Sequence, residues 1–304
     1  MRVRRSFAKG FAAFAASLAA VATLTACGNA KDGSDGLTVL ASTNVWGDIT
    51  QAIAGPDVTV ESLISDPTVD PHSFDFSPVQ AAKVSDADLI VYNGGGYDEF
   101  IDKAISGKNK RAVNAYESIT GESGGHDDGH EHANEHVWYD LPGVDKVAGL
   151  IADGLGALDP EHKQAYLDRA TAFRAQLAGI EAVSAKTAAE HPNQPVLQTE
   201  PLAYYLLTAA KAQDRTPHAF QEAVEQGTDP SPADVATVRD LLSGKQVRAL
   251  VYNKQTEDKT TEDVRASAEK AGVTVVEVTE TLPAGLDYVK WMTGNVSALA
   301  AALA

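Results

Sequence analysis

Short apolar runs alternate with amphipathic segments along most of the chain. The runs have the length and the branched apolar residues of buried strands, and helix-like segments separate them. The predicted strands cover residues 38–43, 58–64, 89–93, 111–115, 195–199, 248–252 and 273–279, and the clearest predicted helices cover 45–54, 78–85, 98–106 and 232–243. This alternation is typical of parallel sheets with crossover helices, so an α/β fold is predicted.

One long segment interrupts the alternation. Between Pro160 and Glu190 the chain has no turn signal except a single glycine. Apolar residues recur there at steps of three and four, which predicts one amphipathic helix of about 30 residues and roughly 45 Å. We assign this helix to residues 159–191. It separates an N-terminal α/β lobe, residues 37–158, from a C-terminal α/β lobe, residues 192–304.

Residues 1–26 are predicted to be a signal peptide and not part of the fold. Four basic residues precede an alanine-rich apolar run, residues 11–24, which is shorter than the about 20 apolar residues of a membrane span. The only cysteine of the chain, Cys27, follows small residues at the end of this run. The arrangement resembles the lipobox of bacterial lipoproteins, in which the cysteine is lipidated, whereas the alternative is an ordinary signal peptide. Residues 27–36 would then be a polar tether to the membrane surface.

The charge balance excludes one class of partner. Removing residues 1–26 takes four positive charges and no negative ones from a formal charge of −17, which leaves −21. Such an acidic surface would repel the phosphates of a nucleic acid, so no nucleic-acid partner is expected. With Cys27 lipidated, no cysteine remains for a disulfide, and the fold has to be held together by its core.

Potential metal ligands lie where the predicted strands end. In open parallel sheets, ligands bind beyond the carboxyl ends of the strands. His72, Glu200 and Glu280 follow the second, fifth and seventh predicted strands, and His136 ends a histidine-rich segment. Taken singly, each is more typical of a solvated or hydrogen-bonded surface residue. Together, two imidazoles and two carboxylates form a ligand set suited to a divalent transition metal.

Several stretches of the chain match one known family. These are residues 53–55 (IAG), 70–74 (DPHSF), 87–95 (ADLIVYNGG), 135–140 (EHVWYD) and 229–231 (DPS), together with Asn295 near the C-terminus. From Leu37 onwards the chain resembles the metal-binding solute-binding lipoproteins of ABC importers, which serve zinc and manganese uptake. The resemblance implies two Rossmann-like lobes with parallel sheets, joined by one long rigid helix, and one metal ion between the lobes.

The resemblance also implies which residues bind the metal. The first two ligands fall on His72 and His136. The third, histidine in many zinc-type members and glutamate in manganese-type members, falls on Glu200. The fourth, usually aspartate, falls on Glu280, where this chain departs from the family pattern. Two carboxylates favour manganese and the histidine-rich segment favours zinc, so the choice between the two metals stays open.

Function and location follow from the same resemblance. It implies a monomeric, non-enzymatic binding protein that is exported, anchored through Cys27 to the outer face of the cytoplasmic membrane, and partnered by a membrane ABC permease.

Residues 121–136 form a low-complexity segment with four of the eight histidines of the chain. Its glycines and charges cannot form a core, so a surface loop is predicted. It resembles the loops of zinc-type family members, and His126, His130 and His132 are predicted auxiliary zinc ligands. The alternative is a solvated acidic insertion.

Two other functions are considered. Residues 132–136 fit the H-x-x-E-H pattern of inverted zinc proteases, but that chemistry needs both histidines on one helical face and the surrounding sequence is rich in glycine and aspartate. A surface adhesin would also suit a lipid anchor, although no segment indicates a dedicated partner surface.

Overall fold

The computed structural model describes residues 36–56, 58–69, 71, 74, 76–122 and 133–304. The predicted signal peptide and Cys27 therefore lie outside the described residues. The same holds for His72 and for the three predicted auxiliary ligands, His126, His130 and His132.

Strands and helices alternate along the chain as the apolar pattern predicts. The strands are β1 (Thr38–Thr43), β2 (Thr59–Ile64), β3 (Leu89–Tyr92), β4 (Ala112–Asn114), β5 (Pro195–Gln198), β6 (Gln213–Asp214), β7 (Ala249–Asn253) and β8 (Thr274–Val278). The α-helices are α1 (Asn44–Ala54), α2 (Pro78–Asp86), α3 (Glu99–Ile105), α4 (Ala115–Thr120), α5 (Leu141–Leu158), α6 (Lys163–Glu190), α7 (Tyr204–Ala209), α8 (His218–Glu225), α9 (Pro232–Ser243), α10 (Lys259–Ala271) and α11 (Tyr288–Leu303).

The strands form two sheets with the same topology. The strand order is β2-β1-β3-β4 in the first sheet and β6-β5-β7-β8 in the second, and every pairing is parallel. In both sheets the order reverses between the first and third strands, and this reversal is where open α/β sheets open a crevice for ligands. The third strand of each sheet has the sequence Val-Tyr-Asn at its carboxyl end. These residues are 91–93, of which the last follows β3, and 251–253, which all belong to β7.

The long helix α6 packs between the two sheets. It contacts α1 and α5 on the N-terminal side and α11 on the C-terminal side. Its buried stripe includes Tyr166, Ala170, Phe173, Leu177 and Ile180, and each large apolar side chain buried in this way contributes about 1.5–3 kcal/mol. These residues belong to one core that also takes in apolar residues from both sheets, while two smaller cores cover the outer faces.

The predicted fold class is confirmed: two parallel α/β sheets flank one long helix. The long helix has 28 residues, Lys163–Glu190, and is therefore shorter than the predicted range of 159–191. Helix α5 extends to Leu158, and residues 159–162 connect α5 to α6. Among the described residues, no helix combines the length and the hydrophobicity needed to cross a membrane.

Candidate metal site

Two buried carboxylates meet at the crevice of the second sheet. Glu200 follows the end of β5, and Glu280 follows the end of β8. Both are buried, and the Nδ2 of Asn253, at the end of β7, donates to Glu200 Oε2 at 2.9 Å and to Glu280 Oε1 at 3.1 Å. One amide therefore holds two negative charges close together at the carboxyl edge of the sheet.

Further donors fix the orientation of each carboxylate. The Thr256 hydroxyl donates to Glu200 Oε1. The Tyr97 hydroxyl, which comes from the N-terminal lobe, donates to Glu280 Oε2 at 3.1 Å. The Oε1 of Gln255 accepts from the backbone N–H groups of Glu280 and Thr281. The acidic groups are thus pre-positioned, which reduces the cost of ordering them around a cation.

His136 is fully buried and its tautomer is fixed by a neighbour. The Oδ1 of Asn134 lies 3.0 Å from both the backbone nitrogen and the Nδ1 of His136, while its Nδ2 donates to the carbonyl of Pro201 at 3.0 Å. The Pro201 bond sets the orientation of the Asn134 amide, so Nδ1 of His136 carries the hydrogen. The lone pair is then on Nε2, the nitrogen that a metal would use.

Aromatic side chains connect His136 to the carboxylates. The rings of Tyr97 and Trp138 lie 6.2 and 5.2 Å from the imidazole ring, centroid to centroid, and pack against each other at 4.7 Å. Because Tyr97 also donates to Glu280, one side chain contacts the imidazole of the N-terminal lobe and a carboxylate of the C-terminal lobe. Tyr97 thus links His136 to Glu280, and Asn253 links Glu280 to Glu200. Among the described residues, however, the donor atoms that lie within 4.8 Å of those of His136 in a group of three belong to Glu135 and Glu225, and not to Glu200 or Glu280.

The remaining predicted ligand, His72, lies outside the described residues, but the chain before it forms hydrogen bonds with this region. The carbonyl of Pro67 accepts from Gln255 Nε2 at 2.8 Å and from the Thr281 hydroxyl at 3.0 Å. Gln255 and Thr281 are the residues that surround Glu280. The segment that leads to His72 is consequently hydrogen-bonded to the residues beside Glu280.

A three-residue cluster includes two glutamates that the sequence did not single out. Donor atoms of Glu135, His136 and Glu225 all lie within 4.8 Å of one another, and His136 Nε2 is 4.0 Å from Glu225 Oε1. Burial, followed by the charges of Glu135, Glu200 and Glu222, raises the pKa of Glu225 to about 8. Glu135 could have been noticed as the neighbour of His136 in the chain. Glu225 ends a short helix instead of a strand, and no motif marks it.

A tight turn after β3 supports the backbone of His136. Gly94 and Gly95 have φ values of +78° and +67°, and a Cβ at Gly95 would lie 2.6 Å from the Tyr116 ring. The Asp98 carboxylate accepts from the backbone N–H groups of Asn93 and Gly94, each at 2.7 Å, and burial raises the pKa of Asp98 to about 6 despite these bonds. The glycines therefore allow a tight turn that another residue could not adopt without strain.

Residues 39–302 match the family model described as zinc-uptake complex component A, periplasmic. The chain belongs to this family. The resemblance predicted from residues 70–74 and 135–140 is thereby confirmed.

Relatives of this chain include a metal-binding lipoprotein. This chain is 27% identical over 285 residues to the manganese-binding lipoprotein MntA of Bacillus subtilis (strain 168), and the alignment covers 86% of each of the two chains. The periplasmic zinc-binding protein TroA from Treponema pallidum has a similar structure, with a TM-score of 0.71, 21% identity, and coverage of 89% of this chain and all of TroA. The laminin-binding protein Lmb of Streptococcus agalactiae aligns with a TM-score of 0.72 and 19% identity over 88% of this chain and all of Lmb. The two structural likenesses show the shared fold.

Proposed function

We propose that this protein captures a divalent transition-metal ion, zinc or manganese, outside the cytoplasmic membrane and delivers it to the permease of an ABC importer. Family membership over residues 39–302 supports this role, and MntA and TroA are named for manganese and zinc. The observation that carries the proposal is the position of Tyr97, whose ring lies 6.2 Å from that of the buried His136 and whose hydroxyl donates to the buried Glu280, so that donors from before and after α6 in the chain are linked by one side chain.

In the proposed site, His72 and His136 bind from the N-terminal lobe, and Glu200 and Glu280 bind from the C-terminal lobe. Imidazole nitrogens and carboxylate oxygens are ligands of both zinc and manganese. Because each lobe would supply only two donors, the ion bridges the lobes. Binding then favours one relative placement of the lobes, and the permease can distinguish the loaded protein from the empty one.

Metal-dependent thermal stabilisation of single-residue variants tests this assignment. A ligand present at 100 times its Kd stabilises a folded protein by about 2.7 kcal/mol, so wild type should melt at a clearly higher temperature with zinc or manganese. His136→Ala, Glu200→Ala and Glu280→Ala should each lose most of that rise. The control is His162→Ala, which removes an exposed imidazole that pairs only with Asp159 among the contacts of the described structure. Variants that keep the full rise would show that the ligands are elsewhere.

The anchor and the location are part of the same proposal. Lipidation of Cys27 would hold a monomer at the outer face of the membrane, near its permease. MntA is named a lipoprotein, which supports this reading. Cys27→Ser should release the protein from the membrane fraction, and loss of a metabolically incorporated fatty acid label would accompany the release.

The two alternatives differ in what supports them. The H-x-x-E-H pattern needs a helix, but residues 133–136, the part of it that the structure describes, are not helical. We therefore propose a binding protein and not a protease.

Lmb is described as a bifunctional protein with adhesin and metal-transporting activity, but a likeness at 19% identity supports the fold alone. Loss of metal-dependent stabilisation together with intact laminin binding would favour adhesion.

A further inference from the structure

Three of the proposed ligands, His136, Glu200 and Glu280, are too deeply buried for a cation to reach them directly from solvent. His136 is 0% exposed, and Glu200 and Glu280 are each 2% exposed. The Glu225 side chain, by comparison, is 24% exposed. An ion that approaches this region therefore meets Glu225 before it meets His136.

Glu225 also lines a large cleft. The cleft has a volume of about 1010 Å³, and its walls carry the carboxylates of Glu122, Glu135, Asp214 and Glu225. Walls of one charge sign concentrate counter-ions and speed their arrival. His136 does not line this cleft, but its Nε2 is 4.0 Å from a carboxylate oxygen of Glu225. Glu225 thus contacts the cleft on one side and faces the buried imidazole on the other.

The distance between these two atoms suits a shared ion. Metal–nitrogen and metal–oxygen bonds are about 2.0–2.2 Å, so two donors on one tetrahedral ion lie about 3.3–3.6 Å apart. The separation of 4.0 Å between His136 Nε2 and Glu225 Oε1 is only a few tenths of an ångström longer than that. A cation placed between them could bind both atoms with little movement of α8 or of the segment that carries His136. Glu135, in the same cluster, would add a third donor.

We propose that Glu225 is an entry ligand, which takes the divalent cation from the cleft and transfers it to His136. The inference rests on the proposed function and extends it. Glu225 binds the ion during entry and exit only. The ion then moves inward because the inner site adds Glu200 and Glu280 to the imidazole, whereas the entry position offers two glutamates at the edge of the solvent. Glu225 should therefore control how fast the metal exchanges and have little effect on how tightly it is held.

The test is a stopped-flow measurement of zinc association and dissociation with the full-length protein, using a chromophoric chelator to report free zinc. Glu225→Gln keeps the shape of the side chain but cannot ionise when a cation arrives, which removes most of its ligating strength. Association and dissociation should both slow by about tenfold, while Kd stays within about threefold of wild type. The control is Glu222→Gln, which removes one charge from an exposed position of the same helix. Its rates should stay within about twofold of wild type because long-range attraction alone is altered.

The two variants separate entry from other roles. Because its raised pKa of about 8 keeps Glu225 mostly protonated at neutral pH in the metal-free protein, Glu225→Gln should change little there, and the metal-free variant should melt no lower than wild type, which shows that it is folded. Equal rates for Glu225→Gln and Glu222→Gln would overturn the entry role. Unchanged association with a large rise in Kd would overturn it too, since Glu225 would then be a permanent ligand. Those failures leave the proposed function intact, whereas a wild-type protein that binds neither zinc nor manganese defeats both.

Discussion

The two sheets place an asparagine at the same topological position and use it differently. Asn93 follows β3 and Asn253 ends β7, and both are buried. The side chain of Asn93 accepts from Trp46 Nε1 at 3.1 Å and donates to the carbonyls of Gly94 and Glu135 at 3.1 and 2.8 Å. The side chain of Asn253 donates instead to the carboxylates of Glu200 and Glu280.

The difference indicates how the two lobes would share the work of binding. In the N-terminal lobe the asparagine fixes backbone and core, so that His136 is carried by a frame that does not depend on charge. In the C-terminal lobe the asparagine contacts the charged groups themselves, so its contribution changes when a cation arrives. In the proposed site, the same topology would thus supply one rigid half-site and one half-site that responds to the ion.

The largest expected effect is on stability in the N-terminal lobe. Asn93→Ala would leave the buried Trp46 N–H without its acceptor, which costs about 1–3 kcal/mol, and would remove one of the two donors to the Glu135 carbonyl, which still accepts from the backbone N–H of Val137. We expect the free energy of unfolding to fall by about 3 kcal/mol, once the small cavity is included. Urea unfolding at equilibrium, with and without metal, measures this loss. Because the role is structural, the loss should be similar in both conditions, and full recovery with metal would contradict the comparison.

The stability of the protein should also depend on pH, because the turn after Asn93 is closed by the buried carboxyl group of Asp98. Burial raises the pKa of Asp98 to about 6 from its ordinary value of 3.8. A carboxyl group with a raised pKa in the folded state binds its proton more tightly when folded, so protonation stabilises the protein. This stabilisation is complete below about pH 4 and is lost as the pH rises through about 6, with an upper limit of about 3 kcal/mol.

Asp98→Asn should flatten that part of the stability profile, measured as the free energy of unfolding from pH 4 to 7. The matched variant is Asp258→Asn. Asp98 and Asp258 precede α3 and α10 as N-cap residues, each five residues after its asparagine, but Asp98 is buried and Asp258 is exposed. A slope that persists in Asp98→Asn would assign the pH effect to another group.

Much of the architecture could be predicted from the sequence because buried strands in parallel sheets are continuous apolar runs. Residues 38–43 match β1 at both ends, and the other six predicted strands differ from the structure by one residue at an end or at both ends. The exception is β6. Its two residues, Gln213 and Asp214, are both exposed, so no apolar run marks them.

The candidate site could be predicted only in part, for a physical reason. Strand ends converge by topology, which is why Glu200 and Glu280 could be selected. Contacts made by helix ends and loops depend on three-dimensional packing that no local pattern encodes, and this is how Glu225 was missed. The part played by Asn253 was missed as well, because a three-residue similarity between β3 and β7 is too short to identify a repeat.

The smallest expected effect on stability lies in the C-terminal lobe. Asn253→Ala removes the donor shared by Glu200 and Glu280, and residues that orient metal ligands typically change affinity by about 10–100-fold. We expect metal affinity to fall by about tenfold in calorimetric titrations with zinc and with manganese. The unfolding free energy of the metal-free protein should fall by only about 1 kcal/mol, because Glu200 still accepts from the Thr256 hydroxyl and Glu280 still accepts from the Tyr97 hydroxyl.

Asn253→Ala tests the comparison more sharply than Asn93→Ala, because its metal affinity should fall clearly while its unfolding free energy should fall only slightly. Saturating metal should restore most of the stability lost in Asn253→Ala, since the bound ion replaces the amide as the group that holds the two carboxylates together. Asn93→Ala should show no such rescue. If Asn253→Ala loses as much stability as Asn93→Ala and keeps wild-type affinity, then both asparagines are structural. The C-terminal half-site would then owe its response to the carboxylates alone.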